Sequence, residues 1–176
     1  MLKIVMKAGL AASALVTLPA IALHAQLPAG IAISVAVGPA IPVGDLKDAG
    51  SETGFNILGA LQFPISGVPL TPRVDVLWMQ LGISGNGGDT RMLGLVGNVV
   101  YPLDIARLGI YVLAGIGGYN ITVADNDATT YSGFNGGAGL ELELGGVTMF
   151  GEARLHYILS PGPDPMLVPV SFGVRF

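Results

Sequence analysis

The stretch GFNGGAGLELELGGVTMFGEARLHYI, residues 133–158, decides the fold of this chain. On either side of Gly145-Gly146 the apolar residues recur at every second position: Phe134, Ala138, Leu140, Leu142 and Leu144 before it, and Met149, Ala153, Leu155 and Tyr157 after it. Asn135, Glu141, Glu143, Glu152, Arg154 and His156 take the alternate positions. A period of two belongs to a strand, whose successive side chains point to opposite faces, whereas helical coiling would scatter those charges across the apolar stripe. Gly-Gly between two such runs reads as a two-residue hairpin turn. That turn would set Asn135 opposite His156, Gly137 opposite Arg154 and Gly139 opposite Glu152, with the glycines leaving room for the long side chains.

Working outward, the same alternation divides the chain from Gly30 onward into eight segments of about ten residues, the length of a strand that crosses a bilayer. They lie near 30–42, 54–65, 72–83, 91–102, 108–120, 133–144, 147–159 and 167–176. The apolar sides carry Ile31, Ile33, Val35 and Val37 in the first, and Phe55, Ile57, Leu61, Phe63 and Ile65 in the second. Val74, Val76 and Trp78 follow in the third, Leu93, Leu95, Val99 and Tyr101 in the fourth, and Ile110, Val112, Ala114 and Ile116 in the fifth. The eighth presents Val168, Val170, Phe172, Val174 and Phe176. Opposite them stand Ser34, Asn56, Gln62, Arg73, Asp75, Asn98, Tyr111, Ser171 and Arg175. Because hydrocarbon tolerates no unpaired sheet edge, eight antiparallel strands of this kind close into an up-and-down transmembrane β-barrel.

Composition agrees. Of the 176 residues only 11% are charged and 51% are hydrophobic, and the mean hydropathy is +0.66. Yet 27 Gly and 12 Pro interrupt every long apolar run beyond the N-terminal region, so spanning helices are excluded and short strands remain. Cysteine is absent, which removes disulfides, thiolate chemistry and cysteine-bound metals. A net charge of −4 makes nucleic acid an unsuitable partner.

Residues 1–25 read as a secretory signal peptide: Lys3 and Lys7, then an apolar run, then small-residue cleavage sites after Ala22 and after Ala25. Residues 26–176 form the barrel. The connections after segments two, four and six are expected to be short and those after one, three, five and seven longer and polar. An even strand number then puts both termini and the short turns in the periplasm. Outward aromatics near segment ends, among them Phe55, Phe63, Tyr101, Phe134, Tyr157 and Phe176, suit interfacial girdles; Trp78 falls nearer the middle of its segment.

The C-terminal VPVSFGVRF ending at Phe176, IPVGDLKD after the first segment and GEARLHYI in the seventh resemble small outer-membrane β-barrel proteins, similar to the transmembrane domain of outer membrane protein A. The resemblance covers essentially all of residues 26–176 and implies export to the outer membrane of a Gram-negative-type bacterium. It also implies that Phe172, Val174 and Phe176 are read by the barrel-assembly machinery. No periplasmic peptidoglycan-binding domain follows Phe176, so a cell-wall tether is not implied.

An eight-stranded barrel encloses about enough room for side chains alone. The inward list of Arg73, Asp75, Glu141, Glu143, Glu152, Arg154, His156 and Arg175 therefore predicts a plug of paired charges. One remaining histidine cannot build a multi-histidine metal site, and no cofactor is called for. Glu152, His156 and Ser171 or Ser34 could be imagined as a hydrolytic set on lipid. The outer loops carry Asp45, Asp48, Glu52, Asp89, Asp125, Asp127 and Asp164 against Lys47 and Arg91. Contact with anionic lipopolysaccharide would thus run through divalent cations. The expectation is a monomeric barrel with a structural or surface-interaction role among outer-membrane lipids. Its rivals are a narrow pore of porin type and, third, a lipid-modifying enzyme.

Overall fold

The computed structural model describes residues 30–176 apart from 86–87, 106–107, 125 and 163; the leader and Asp125 lie outside the described residues. Eight strands run in chain order: β1 (Ala32–Val43), β2 (Ser51–Gln62), β3 (Thr71–Ile83), β4 (Asp89–Ile105), β5 (Leu108–Val123), β6 (Thr129–Leu144), β7 (Val147–Ile158) and β8 (Met166–Arg175). A single helical turn, α1 (Asp45–Asp48), bridges β1 and β2. Each strand pairs antiparallel with its neighbours in order, and β8 returns to β1, so the barrel closes. Phe176 completes the seam beyond β8 by exchanging backbone hydrogen bonds with Ile33 at 2.9 and 3.2 Å. Closure satisfies every edge, as hydrocarbon requires.

The hairpin read from 133–158 forms in the expected register. Gly145 and Gly146 both adopt positive φ, 58° and 91°, as a turn matching the strand twist demands. Asn135 then pairs with His156, Gly137 with Arg154 and Gly139 with Glu152.

Two sequence expectations differ from the structure. The second strand spans Ser51–Gln62 rather than 54–65, so Phe63 and Ile65 belong to the connection. That connection, 63–70, is as extended as the α1-bearing one at 44–50, against the expectation of a short turn. Its Pro64, Gly67, Pro69 and the bends around them cannot continue a ladder. Trp78 falls near the middle of β3, as expected, and the neighbouring strands set its height. β4, β5 and β6 run for 17, 16 and 16 residues, while a bilayer needs only about 9–11. The surplus lies at the loop end, where outward positions turn polar: Gln80, Arg91, Asn120, Thr122, Thr130 and Ser132. Trp78 is the last apolar outward residue of β3 before that change, and its ring meets Phe55 edge to face at 5.1 Å. With Phe134 stacked on Tyr157 at 4.9 Å, it belongs to the loop-side girdle.

Candidate functional site: the barrel lumen

The lumen is filled from all eight strands. Toward the end that holds the C-terminus, β3 contributes Arg73 and Asp75 two residues apart, hence on one face, and β7 contributes Glu152 and Arg154 by the same rule. The four side chains form a closed ring of alternating charge. Arg73 Nε donates to Asp75 Oδ1 at 2.7 Å, and its Nη1 and Nη2 donate to Glu152 Oε2 and Oε1 at 2.7 and 3.1 Å. Arg154 Nη1 donates to Asp75 Oδ2 at 2.6 Å, and its Nε stands 2.8 Å from Glu152 Oε1 as an ion pair. Asn98 and Tyr111 complete the shell, donating to Asp75 Oδ2 at 2.9 Å and Glu152 Oε2 at 2.8 Å.

No side chain of the ring is more than 2% exposed. Charges this far from water are tolerable only when paired with good geometry and satisfied by further hydrogen bonds. Two guanidiniums against two carboxylates leave the ring neutral, which meets that condition.

Glycines on β6 make the room. A Cβ at Gly137 would stand 2.7 Å from Arg154 Cγ, so the arginine stem lies in that gap. At Gly139 the gap is taken by another residue: a Cβ there would fall 2.2 Å from Tyr111 Cζ. The glycine opposite Glu152 thus houses the β5 tyrosine, and Glu152 bends to the ring instead. Sequence alternation put Tyr111 inside but gave no sign that it would be a ring ligand.

The other expected lumen charges lie apart from the ring. Arg175 and Glu141 meet at 2.7 Å nearer the terminal mouth, with 21% and 27% exposure, and Arg175 also donates to Gln62 Oε1 at 3.2 Å. Glu143 is exposed beside the Gly145-Gly146 turn, because β6 there has passed the barrel mouth. His156 is fully buried, with Nδ1 at 2.8 Å from the hydroxyl of Tyr119. Ser171 donates to Asn56 Oδ1 at 2.7 Å. Glu152, His156 and Ser171 therefore serve three different partners and do not assemble a hydrolytic set. Among the described residues no group of three or more His, Asp or Glu side chains is arranged to hold a metal.

Toward the loops the filling turns apolar, with Met79, Leu81, Met92, Ile158 and Leu167 at 0–1% exposure. Above it, a cleft of about 320 Å³ opens between the β5–β6 and β7–β8 connections, with Ile121, Tyr131, Asn126, Asp127 and Ser160 among its walls. Asp164 pins the β7–β8 connection by accepting from the Ser160 backbone N–H at 3.0 Å and from the Tyr157 hydroxyl. Those two donors, the backbone N–H foremost, hold its carboxyl below the usual carboxylate range. On the outside, Phe172 and Phe176 project into the lipid zone and Val174 is half-buried. The Phe172 ring lies over Gly151, where a Cβ would come within 3.3 Å of it.

The outer membrane protein beta-barrel domain family matches residues 8–176. Among solved structures the chain is similar to Neisserial surface protein A (NspA), with 16% identity and a TM-score of 0.66 over 85% of this chain and 98% of that one. It is also similar to Ail, the attachment invasion locus protein of Yersinia pestis, with 16% identity and a TM-score of 0.51 over 84% of this chain and 99% of that one. No curated protein sequence matches the chain.

Proposed function

Since the chain belongs to the outer membrane protein beta-barrel domain family, and its place is therefore a Gram-negative outer membrane, we propose that it is a non-conducting barrel that displays its loops at the cell surface. One observation carries the closed-lumen reading. The Arg73–Asp75–Arg154–Glu152 ring joins opposite sides of the barrel through hydrogen bonds and ion pairs of 2.6–3.1 Å. Removing one partner of such a buried set costs on the order of 3–5 kcal/mol, so exchange of partners to open a path is a rare event. Met79, Leu81 and Met92 add a second, dry barrier nearer the loops.

The loops supply the surface role. Asp45, Asp48, Glu52, Asp89, Asp127 and Asp164 face Lys47 and Arg91 there, an acidic rim above the girdle of Phe55, Trp78, Phe134 and Tyr157. Contact with lipopolysaccharide phosphates runs through bridging divalent cations, and chelating those cations should change loop accessibility to a membrane-impermeant label. A surface role is in keeping with the names of the two fold relatives, one a surface protein and one an attachment protein. The barrel acts as a monomer without cofactor and without catalysis. Phe172, Val174 and Phe176 are the strand the assembly machinery reads, at the seam where β8 meets β1.

The direct test is single-channel recording in planar bilayers on the parent protein, Arg154→Ala and Glu152→Gln. Silence from the parent, with rare openings at most in the variants, is the expected result. Discrete conductance steps in the parent whose size or dwell time changes in the variants would make the protein a narrow pore gated by the ring.

A further inference from the structure

Four buried polar atoms have no hydrogen-bond partner among the described residues: Asn98 Oδ1, Asn135 Nδ2 and Oδ1, and His156 Nε2. Their residues are only 4%, 4% and 0% exposed. Leaving such groups unsatisfied in a low-dielectric interior is costly, and native proteins rarely do so. These four are not scattered. Register places Asn98 beside Gly115, Gly115 beside Asn135 and Asn135 beside His156, one row across β4, β5, β6 and β7.

The row has a gap. A Cβ at Gly115 would lie 2.1 Å from Asn98 Oδ1, so the Asn98 carbonyl reaches over β5 toward the Asn135 amide on the next strand. Adjacent strands are about 4.8 Å apart, too far for a direct bond from that position and close to the span of one bridging molecule. Two large side chains wall the gap. The Tyr119 ring covers Gly133, with Cε2 at 2.8 Å from where a Cβ would stand, and the Arg154 stem covers Gly137 at 2.7 Å.

We propose that this row is a binding site for internal water, occupied by about one or two molecules that join Asn98, Asn135 and His156 across three strands. The donor set selects the ligand. Asn98 Oδ1 and Asn135 Oδ1 need a donor, Asn135 Nδ2 needs an acceptor, and His156 Nε2 takes whichever role its tautomer leaves after Nδ1 bonds Tyr119. Water serves both roles. A metal cation would satisfy the oxygens and the imidazole but repel the amide N–H groups, and it would sit against the Arg154 guanidinium. A buried water typically makes about three hydrogen bonds, which this row supplies. The site extends the closed-lumen reading, since it holds water that exchanges slowly instead of water that flows.

The experiment is water-to-protein cross-relaxation NMR on the protein folded in lipid nanodiscs, read at the Asn135 side-chain amide and the His156 ring. Cross-peaks with the sign of a water held longer than a nanosecond are expected at both groups, and are lost in Asn135→Leu while the folded form persists on an unheated gel. No cross-peak in the parent, or cross-peaks of the sign given by fast, bulk-like water, overturns the site whether or not the variant folds. Retention of the signal in folded Asn135→Leu does the same, as does a shift of the His156 ring resonances on adding zinc alone. Conductance is recorded separately: a silent barrel without slow water removes this inference alone, and a conducting barrel removes the closed-lumen reading first.

Discussion

The two halves of the lumen fill one cylinder with opposite chemistry. Toward the termini, Arg73, Asp75, Glu152 and Arg154 form a neutral ring in which each guanidinium serves both carboxylates. Toward the loops, Met79, Leu81, Met92, Ile158 and Leu167 pack without direction. Both halves obey the same two-residue alternation and are buried to a similar degree. What differs is the way each responds to damage. An apolar layer loses contacts in proportion to the volume removed, and volume-conserving exchanges cost it little. The ring fails as a unit, because deleting one member leaves its neighbours charged, buried and unpaired.

The largest effect expected is therefore from Arg154→Ala, which strands Asp75 and Glu152 together: a loss of about 3–5 kcal/mol in urea unfolding from lipid vesicles. An unchanged midpoint would erase the distinction between the halves. Replacing all four ring members by leucine or methionine of similar volume sharpens it, since that exchange should come out neutral or stabilising. In the apolar half, Met79→Ala should cost about 2–5 kcal/mol and Met79→Leu less than about 1.5 kcal/mol. If the two Met79 variants fall together, that layer is not close-packed, and its barrier to ions would rest on the ring alone.

How much of this was legible in the sequence follows from the same contrast. Alternation is a property of single strands, so the barrel, the side each residue takes and the pairing of β6 with β7 through Gly145-Gly146 could all be read from one dimension. The clustering of Arg73 and Asp75 with Glu152 and Arg154 could be suspected from charge alone. Their assembly into a ring, with Glu141 and Arg175 set apart and Glu143 outside, depends on strand height around a tilted cylinder, which alternation does not record. Gly139 makes the limit concrete: sequence shows that a side chain is missing there, while the residue that fills the space, Tyr111, comes from a neighbouring strand.

That socket gives a smaller, directional prediction. Gly139→Ala pushes a methyl group into the Tyr111 ring and should destabilise by about 1–3 kcal/mol. In a Tyr111→Leu background the added methyl should cost distinctly less, because the ring it meets is gone. Equal costs in both backgrounds would mean that the strain lies in the β6 backbone.

The smallest effect belongs to a charge outside the lumen. Asp164 is half-buried, and its carboxyl is held below its ordinary value of 3.8 by the Ser160 backbone N–H and then by the Tyr157 hydroxyl. A carboxylate whose folded value is depressed stabilises its loop above the unfolded value and loses that contribution as pH falls through the folded one. The β7–β8 connection should accordingly loosen only below about pH 4, read as movement of the Ser160 amide resonance, and the movement should vanish in Asp164→Asn. Global unfolding should scarcely respond, because a solvated charge is screened where the ring is not. A barrel-wide loss of stability in Asp164→Asn would show that the loop clamps the apolar half from above. The contrast between the halves would then be one of support as well as chemistry.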